Sequence, residues 1–305
     1  MLKPAALKPG DQVRVVTPAS PLDDSQIADG VALLESEGYR VTLAPRVFDR
    51  DGYLAGPDEG RADDLMAAFE DANVACVMCS RGGYGSARLF PFLDLDVMAK
   101  SGKMFCGFSD VTTLHLALNR RGLVTMHTPM LITLSVERES WVIESFKNLL
   151  RGHAAAPKGT KKADTLVTGT AEGPLTGGCL CLLTDSLATP DALDAEGKIL
   201  LIEDVGADPH RVDAMLTHLI NAGVLQSAAG IAFGEMTRTD EIGEEKGDVW
   251  PWRKIVQDRV APLGIPAVID FPFGHMKTML SVPMGVRARL DADAGTLEII
   301  ERPCN

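Results

Sequence analysis

The chain has 305 residues, of which 46% are hydrophobic, and it carries a formal net charge of −12. This length and apolar content suffice for one large folded domain or two of ordinary size. Because lysine and arginine are outnumbered and scattered along the chain, the charge argues against a nucleic-acid partner, whose phosphates need a concentrated positive field.

The N-terminal stretch MLKPAALKPGDQVRVV contains lysines and prolines where a secretory signal peptide needs an unbroken apolar region. No later segment reaches the run of about 18 uncharged apolar residues that a membrane span requires. The six cysteines lie mostly inside apolar runs, as reduced and buried cysteines do. We therefore expect a cytoplasmic protein that has no membrane association and no disulfide framework.

Short apolar runs alternate with helical patterns through the first half of the chain. The runs QVRVV, YRVTL, NVACVM, KMFCGF and LVTMH predict strands, and the segments between them predict helices. This alternation is typical of a parallel sheet with crossover helices. We predict that residues 1–147 form an α/β domain with an open, doubly wound, mostly parallel sheet of the flavodoxin-like type.

The pattern changes after the first half. Residues 148–164 lose the apolar periodicity and gain Ala, Gly, Pro and Lys, which predicts a linker. In residues 165–305 strand patterns predominate, with one clear helix at PHRVDAMLTHLINAG and a hairpin turn at Asp293–Gly295. This part of the chain predicts a smaller C-terminal α+β domain that is rich in β-strands.

One pair of cysteines is a candidate metal site by its spacing. Cys76 and Cys79 have C-x-x-C spacing, but they lie in an apolar run that predicts a buried strand. Positions three apart on a strand point to opposite faces, so the two thiols are not expected to converge on one ion. No second C-x-x-C and no paired histidine spacing occurs, and we predict neither a metal nor a cofactor.

Two junctions lie where ligands collect in open α/β sheets, beyond the carboxyl ends of the strands. The first, SRGGYGSARLF, lacks the G-x-G-x-x-G spacing of a dinucleotide site, and its paired glycines suit a tight turn or an oxyanion site equally well. The second, GFSDVTTL, places Ser109 directly before a helix. At this position a serine serves as a helix N-cap or as a nucleophile, and both interpretations stay open.

A nucleophile needs a base and an orienting acid. Strand alternation in KILLIEDV implies that one carboxylate enters apolar surroundings or lies at the end of the strand. Helix capping would explain Asp204 or Asp208, but it leaves Glu203 unexplained. Among the histidines, His275 follows a strand and a glycine, in a loop setting that can orient its ring, whereas His127 is ambiguous.

Five segments in this order resemble the LD-carboxypeptidase family of serine peptidases: LKPGDQVRVVTPASP, SRGGYGSARLFPFLD, GFSDVTTLHLAL, LLIEDVGADPHRVDAMLTHL and FGHMKTMLSVPMGVRARLD. The similarity runs nearly end to end. It implies a catalytic triad of Ser109, Glu203 and His275 and a homodimer. It also implies hydrolysis of an L,D peptide bond, with release of the terminal D-Ala from the cytoplasmic murein tetrapeptide of cell-wall recycling.

The resemblance implies further roles for backbone and charged groups. The oxyanion donors would be the N–H of Asp110 and that of a glycine in RGGYG, for which we prefer Gly83 over Gly82. Both Gly82 and Arg81 are candidates for substrate binding, and Arg81 would pair with a substrate carboxylate or brace the glycine turn. Family members often carry an asparagine in the loop that reads GGCLCLL here, where this chain has Cys179.

Two alternatives stay open at this point. One is a microcin C-type immunity peptidase, which would use the same triad to cleave an aminoacyl-nucleotide amide. The other is a non-catalytic binding protein with the same fold. The RGGYGS segment slightly favours the murein type, and the presence of Ser, Glu and His together argues against a binding protein.

Overall fold

The computed structural model describes residues 1–247 and 250–305. Strands and helices alternate in the first half of the chain, as predicted. The strands are β1 (Gln12–Val16), β2 (Arg40–Leu43), β3 (Val74–Cys79), β4 (Met104–Gly107) and β5 (Thr125–His127). The helices are α1 (Ala28–Ser36), α2 (Asp58–Glu70), α3 (Leu95–Lys100), α4 (Thr112–Arg120), α5 (Leu131–Leu134) and α6 (Ser140–Leu150).

The second half contains more helix than the sequence pattern predicted. Its strands are β6 (Asp164–Val167), β7 (Thr170–Cys179), β8 (Ile199–Val205), β9 (Gly230–Thr237), β10 (Ala267–Ile269), β11 (Val282–Met284), β12 (Arg287–Asp291) and β13 (Thr296–Ile299). Its helices are α7 (Leu180–Asp185), α8 (Pro209–Asn221), α9 (Val224–Ser227), α10 (Thr239–Lys246) and α11 (Trp252–Val260). The helix predicted at PHRVDAMLTHLINAG is α8, whereas the GGCLCLL segment is not a loop but the end of β7 and the start of α7.

The chain divides into two compact units. The first comprises residues 1–154, 281–285 and 302–305, and the second comprises residues 155–280 and 286–301. The predicted domain bounds, 1–147 and 165–305, stay a prediction. None of the helices in the described parts of the chain has the length and apolar character that a bilayer crossing requires.

The first unit is built on a six-stranded sheet in the order β11-β5-β4-β3-β1-β2. The strands β1 to β5 pair in parallel, and β11 pairs antiparallel with β5 at one edge. This arrangement confirms the predicted open, mostly parallel sheet. The central strand β4 is buried along its whole length, and α4 is buried from Thr112 to Leu118, so the corner between them is fixed by packing on both sides.

The second unit contains a seven-stranded sheet in the order β13-β12-β7-β8-β9-β10-β6. Its middle strands β7 to β10 run parallel, and β6, β12 and β13 add antiparallel pairs on the two sides. The antiparallel pair of β12 and β13 confirms the hairpin predicted at Asp293–Gly295. Strand β8 is buried from Ile199 to Asp204, which carries two carboxylates into the interior of this unit.

Candidate active site

Ser109 lies at the sharp corner that joins β4 to α4. It begins one turn of 3₁₀ helix, Ser109–Val111, and its φ angle is 66°. A non-glycine residue with a positive φ is uncommon and costs conformational energy, so the surrounding structure must impose it. A strained residue between a strand and a helix is the geometry of a nucleophile elbow, in which the hydroxyl projects from the turn.

The N-cap interpretation of Ser109 does not fit this geometry. The N-cap residue of α4 is Val111, which makes no side-chain cap hydrogen bond. The carboxylate of Asp110 instead accepts hydrogen bonds from the backbone N–H groups of Gly85 and Ser86, at 3.3 and 2.8 Å. Burial raises the pKa of Asp110, although these hydrogen bonds oppose the rise. Asp110 therefore ties the glycine loop to the corner, and the oxyanion role of its N–H stays a prediction.

The RGGYG loop touches the serine through a position where only glycine fits. A Cβ atom on Gly82 would lie 2.9 Å from the Cβ of Ser109, 3.0 Å from its Oγ and 3.3 Å from the nitrogen of Asp110. Gly83 has a φ of +112°, and a Cβ there would overlap the side chain of Ser20. Close backbone approach thus explains both glycines, and the preference for Gly83 as an oxyanion donor stays a prediction.

Arg81 braces this loop. Its Nε donates to the carbonyl oxygen of Gly82 at 3.1 Å, and its Nη1 donates to that of Pro21 at 3.0 Å. Burial, reinforced by the charge of Arg50, lowers the pKa of Arg81. Of the two roles considered from the sequence, bracing is therefore observed, and contact with a substrate carboxylate stays a prediction.

Glu203 and His275 form a hydrogen-bonded pair in the second unit. Glu203 is fully buried on β8, and the His275 side chain is 17% exposed. The Oε2 of Glu203 lies 2.6 Å from Nδ1 of His275 and also accepts the backbone N–H of His275 at 3.2 Å. Donation from Nδ1 to the carboxylate leaves Nε2 as the proton acceptor of the ring. The structure thus joins two predicted residues that are 72 positions apart in the chain.

Two glycines make room for the buried carboxylate. Gly274 has a φ of +96°, and a Cβ at that position would overlap the carboxylate of Glu203. A Cβ on Gly234 in β9 would lie 3.1 Å from the Cβ of Glu203 and would overlap the carbonyl oxygen of Phe273. From the sequence, Gly274 was noted only as the residue before His275, and nothing in the sequence pointed to Gly234.

The surroundings of His275 shift the pKa of its imidazole in both directions. Burial lowers the pKa of this imidazole, but the charge of Glu203, the hydrogen bond to Glu203 and the charge of Asp204 together raise it more. The resulting pKa lies above the ordinary value of 6.5. An imidazole that is held in one orientation by a buried carboxylate suits a group that accepts and returns a proton.

Both carboxylates of LIED are buried, whereas strand alternation predicted only one. The carboxylate of Asp204 accepts hydrogen bonds from the backbone N–H of Cys181 at 2.8 Å and from that of Val205, the next residue, at 2.7 Å. It therefore bonds to the first turn of α7, and the N-cap position of α8 belongs to Asp208. Burial, followed by the charge of Glu203, raises the pKa of Asp204.

Two other histidines lie in the interior of the first unit. His115 is buried on α4, where its ring nitrogens contact Thr125 Oγ1 at 2.8 Å and the carbonyl oxygen of Gly107 at 2.9 Å. Burial lowers its pKa to about 4. His127, which was ambiguous from the sequence, is fully buried on β5 with its ring centroid 5.6 Å from that of Phe108. His115 therefore has a structural role as a neutral core residue.

The chain is similar to LD-carboxypeptidases over most of its length. Residues 13–128 match the family model for the LD-carboxypeptidase N-terminal domain, and residues 172–290 match that for the LD-carboxypeptidase C-terminal domain. A Bacillus subtilis protein named as a probable murein peptide carboxypeptidase is 36% identical over 97% of this chain and 94% of its own length.

Two solved structures have folds similar to that of this chain. The muramoyltetrapeptide carboxypeptidase of Oxalobacter formigenes is 30% identical, with a TM-score of 0.81 over 96% of this chain and 99% of that one. The microcin C7 self-immunity protein MccF, at 23% identity, covers 100% of both chains with a TM-score of 0.88. At that identity, the likeness to MccF shows the fold alone.

Proposed function

The chain belongs to the LD-carboxypeptidase family, and from this we propose that it is a serine peptidase that cleaves an L,D peptide bond. The proposed substrate is the cytoplasmic murein tetrapeptide, which would lose its terminal D-Ala. The names of the Bacillus subtilis relative and of the Oxalobacter formigenes enzyme support a murein peptide as substrate. The observation that carries the mechanism is the contact of 2.6 Å between buried Glu203 and His275.

In the proposed mechanism, Ser109 attacks the carbonyl carbon of the scissile bond while Nε2 of His275 takes the proton from its Oγ. The negatively charged oxygen of the tetrahedral intermediate accepts hydrogen bonds from the N–H groups of Asp110 and Gly83. His275 then gives its proton to the amine of D-Ala, which leaves, and the acyl group stays on Ser109. A water molecule, deprotonated by His275, attacks this ester and restores the serine hydroxyl.

Each protein group has a structural reason for its part. Buried Glu203 holds the proton on Nδ1 and stabilises the imidazolium that forms during the reaction. The strained corner at Ser109 presents a hydroxyl from a turn that is fixed by packing. Gly82, which brings the loop backbone close to this hydroxyl, is a proposed substrate-binding residue, and Arg81 is the proposed partner of the free carboxylate that a carboxypeptidase must recognise.

The test is a turnover assay with two substrates. We expect the purified protein to release D-Ala from murein tetrapeptide, and the Ser109→Ala variant to release none above background. Cleavage of an aminoacyl-nucleotide amide with no release of D-Ala would instead identify a microcin C-type immunity peptidase. Binding of tetrapeptide with no turnover of either substrate would identify a non-catalytic binding protein.

We further propose a cytoplasmic location and a homodimer. The cytoplasmic location is supported by the six cysteines, all of them described, which form no disulfide with one another and are mostly buried. The homodimer rests on the family resemblance. Light scattering on the purified protein should give a mass of about twice 32.6 kDa, and a mass of one chain would contradict the proposal.

A further inference from the structure

A second cluster of reactive side chains lies beside Glu203, where β7 meets α7. Cys179 is the last residue of β7, Cys181 lies in the first turn of α7, and Asp204 follows Glu203 on β8. The Sγ atoms of the two cysteines are 3.5 Å apart. These sulfurs and a carboxylate oxygen of Asp204 all lie within 4.8 Å of one another. Three donors of this kind converge on a volume that one ion could fill.

Backbone pairing and a backbone hydrogen bond hold the members of this cluster close together. Strands β7 and β8 pair in parallel with Cys179 opposite Glu203, which brings Asp204 next to the end of β7. The N–H of Cys181 donates to Oδ2 of Asp204 at 2.8 Å, so the first turn of α7 lies against this carboxylate. Cys179 and Asp204 are buried, and Cys181 is half-buried. The cluster is therefore preformed, and Cys181 is its least buried member.

The distances fit a tetrahedral ion better than they fit a disulfide. Zinc bonds of about 2.3 Å to sulfur and about 2.1 Å to oxygen place two sulfurs ~3.8 Å apart and a sulfur and an oxygen ~3.6 Å apart. The sulfurs of Cys179 and Cys181, at 3.5 Å, are already near that separation. Small rotations of the Asp204 and cysteine side chains would close the rest, whereas a disulfide would require the sulfurs to approach to about 2.05 Å.

The chemistry of the donors selects the kind of ion. Thiolates are soft ligands that favour zinc-like cations over magnesium and calcium, which prefer sets of oxygen atoms. Two carboxylates, those of Glu203 and Asp204, are buried next to the sulfurs and create a negative environment that favours a cation. Each oxygen of Asp204 accepts one backbone N–H, that of Cys181 or that of Val205, and a carboxylate oxygen that accepts one hydrogen bond has a further lone pair for an ion.

We propose that Cys179, Cys181 and Asp204 bind one thiophilic divalent cation of the zinc class, with a water molecule as the fourth ligand. On binding, each thiol releases a proton and its sulfur forms a bond to the cation, so no oxidant or reductant is needed. Three protein ligands and an open position distinguish this site from a closed structural zinc site, which has four protein ligands.

A second pair of cysteines in the same protein provides a comparison. The Sγ atoms of Cys76 and Cys106 lie 3.8 Å apart on β3 and β4, and both residues are fully buried. Among the described residues, no histidine or carboxylate joins this pair in a group of three possible ligands. Two close thiols alone do not make a metal site, and the described part of the chain gives the pair at Cys76 neither the carboxylate nor the half-buried member that the cluster at Cys179 has.

The experiment titrates the reduced, metal-free protein with Co²⁺ and with Zn²⁺. We expect one ion per chain and a thiolate-to-cobalt charge-transfer absorption. The double variant Cys179→Ser/Cys181→Ser should lose this absorption and bind Zn²⁺ at least about tenfold more weakly, and Asp204→Asn should keep the absorption but bind more weakly. The matched control, Cys304→Ser, removes a buried thiol of the first unit and should bind as the wild type does.

Three results would overturn the proposal. They are a wild type without charge-transfer absorption, a double variant that binds Zn²⁺ as tightly as the wild type, and a cysteine pair that stays oxidised under reductant. If the double variant does not fold, Cys181→Ser at the half-buried position provides the same comparison. None of these measurements uses peptidase activity, so their failure would leave the proposed function untouched.

Discussion

Replacement of Glu203 by glutamine would remove the charge that faces His275 and keep the shape of the side chain. Glu203 is fully buried, and its Oε2 accepts both Nδ1–H and the backbone N–H of His275. A glutamine carbonyl oxygen can still accept these hydrogen bonds. The variant would therefore lose the negative charge opposite the imidazolium that forms when His275 takes the serine proton.

The expected loss can be worked from the geometry. Oε2 and Nδ1 are 2.6 Å apart, and the charge centres of the two groups lie somewhat farther apart because each charge is delocalised. Opposite charges at about 4 Å, with an effective dielectric constant of about 20, attract by about 4 kcal/mol. Since about 1.4 kcal/mol corresponds to a factor of ten in rate, kcat should fall by about three orders of magnitude. This lies within the range expected when the acid of a triad is lost, about two to four orders.

The assay measures D-Ala release at saturating tetrapeptide, with circular dichroism to verify folding. The control, Glu172→Gln, makes the same change at an exposed strand position of the same unit and should turn over normally. A second readout is pH. Because His275 must be neutral to accept a proton, kcat/KM should rise with pH through a midpoint above 6.5, the ordinary pKa that His275 exceeds. In Glu203→Gln this midpoint should move to lower pH, because the charge that raises the pKa of His275 is gone.

Two results would refute this reasoning. One is a folded Glu203→Gln variant whose kcat lies within about tenfold of the wild type, far from the loss expected of a triad acid. That result would transfer the acid role to Asp204 or Asp208. The other is a pH midpoint that stays at its wild-type value.

Three further predictions test the site from other directions. Ser109→Ala, His275→Ala and the double variant should show similar residual kcat, each lower by about four or more orders of magnitude, while tetrapeptide binding persists in calorimetry; additive losses would contradict a single catalytic unit. Activity should survive prolonged chelation, because no step of the proposed mechanism uses a metal ion, and a loss that zinc restores even in the Cys179→Ser/Cys181→Ser variant would contradict the serine mechanism. Gly274→Ala should lower both kcat and the melting temperature, because the added Cβ displaces Glu203. The control Gly264→Ala has a φ of +68° and open space around it, so it should lower only the melting temperature. Equal kcat in the two variants would contradict this role of Gly274.

The sequence predicted the first sheet well because its strands are buried on both faces. Continuous apolar runs such as those of β3 and β4 are a strong local signal, and the polar segments between them mark the helices. The short strand β11 escaped prediction. It has three residues including a proline, and it joins its sheet through a pairing with β5 that is distant in sequence.

The candidate site could also be predicted only in part from the sequence. Local patterns drew attention to Ser109, Glu203 and His275 one at a time. Glu203 and His275 are 72 positions apart, so no local pattern could predict that they are in contact. The family resemblance supplied that connection. The cluster at Cys179 and Asp204 leaves no signal in local spacing, because Cys179 and Cys181 lie where β7 meets α7 and Asp204 lies near the end of the neighbouring strand β8.

Two segments near the end of the chain, residues 281–285 and 302–305, belong to the first unit, and this affects how that unit can fold during synthesis on the ribosome. Strand β11 covers the edge of β5, and Asn305 donates hydrogen bonds to the carbonyl oxygens of Lys3 and Pro4 near the opposite end of the chain. Until residues 281–285 have left the ribosome, β5 is an uncovered edge, and exposed edges invite pairing with other nascent chains. The first unit, although it is translated first, can be completed only after nearly all of the second has been made.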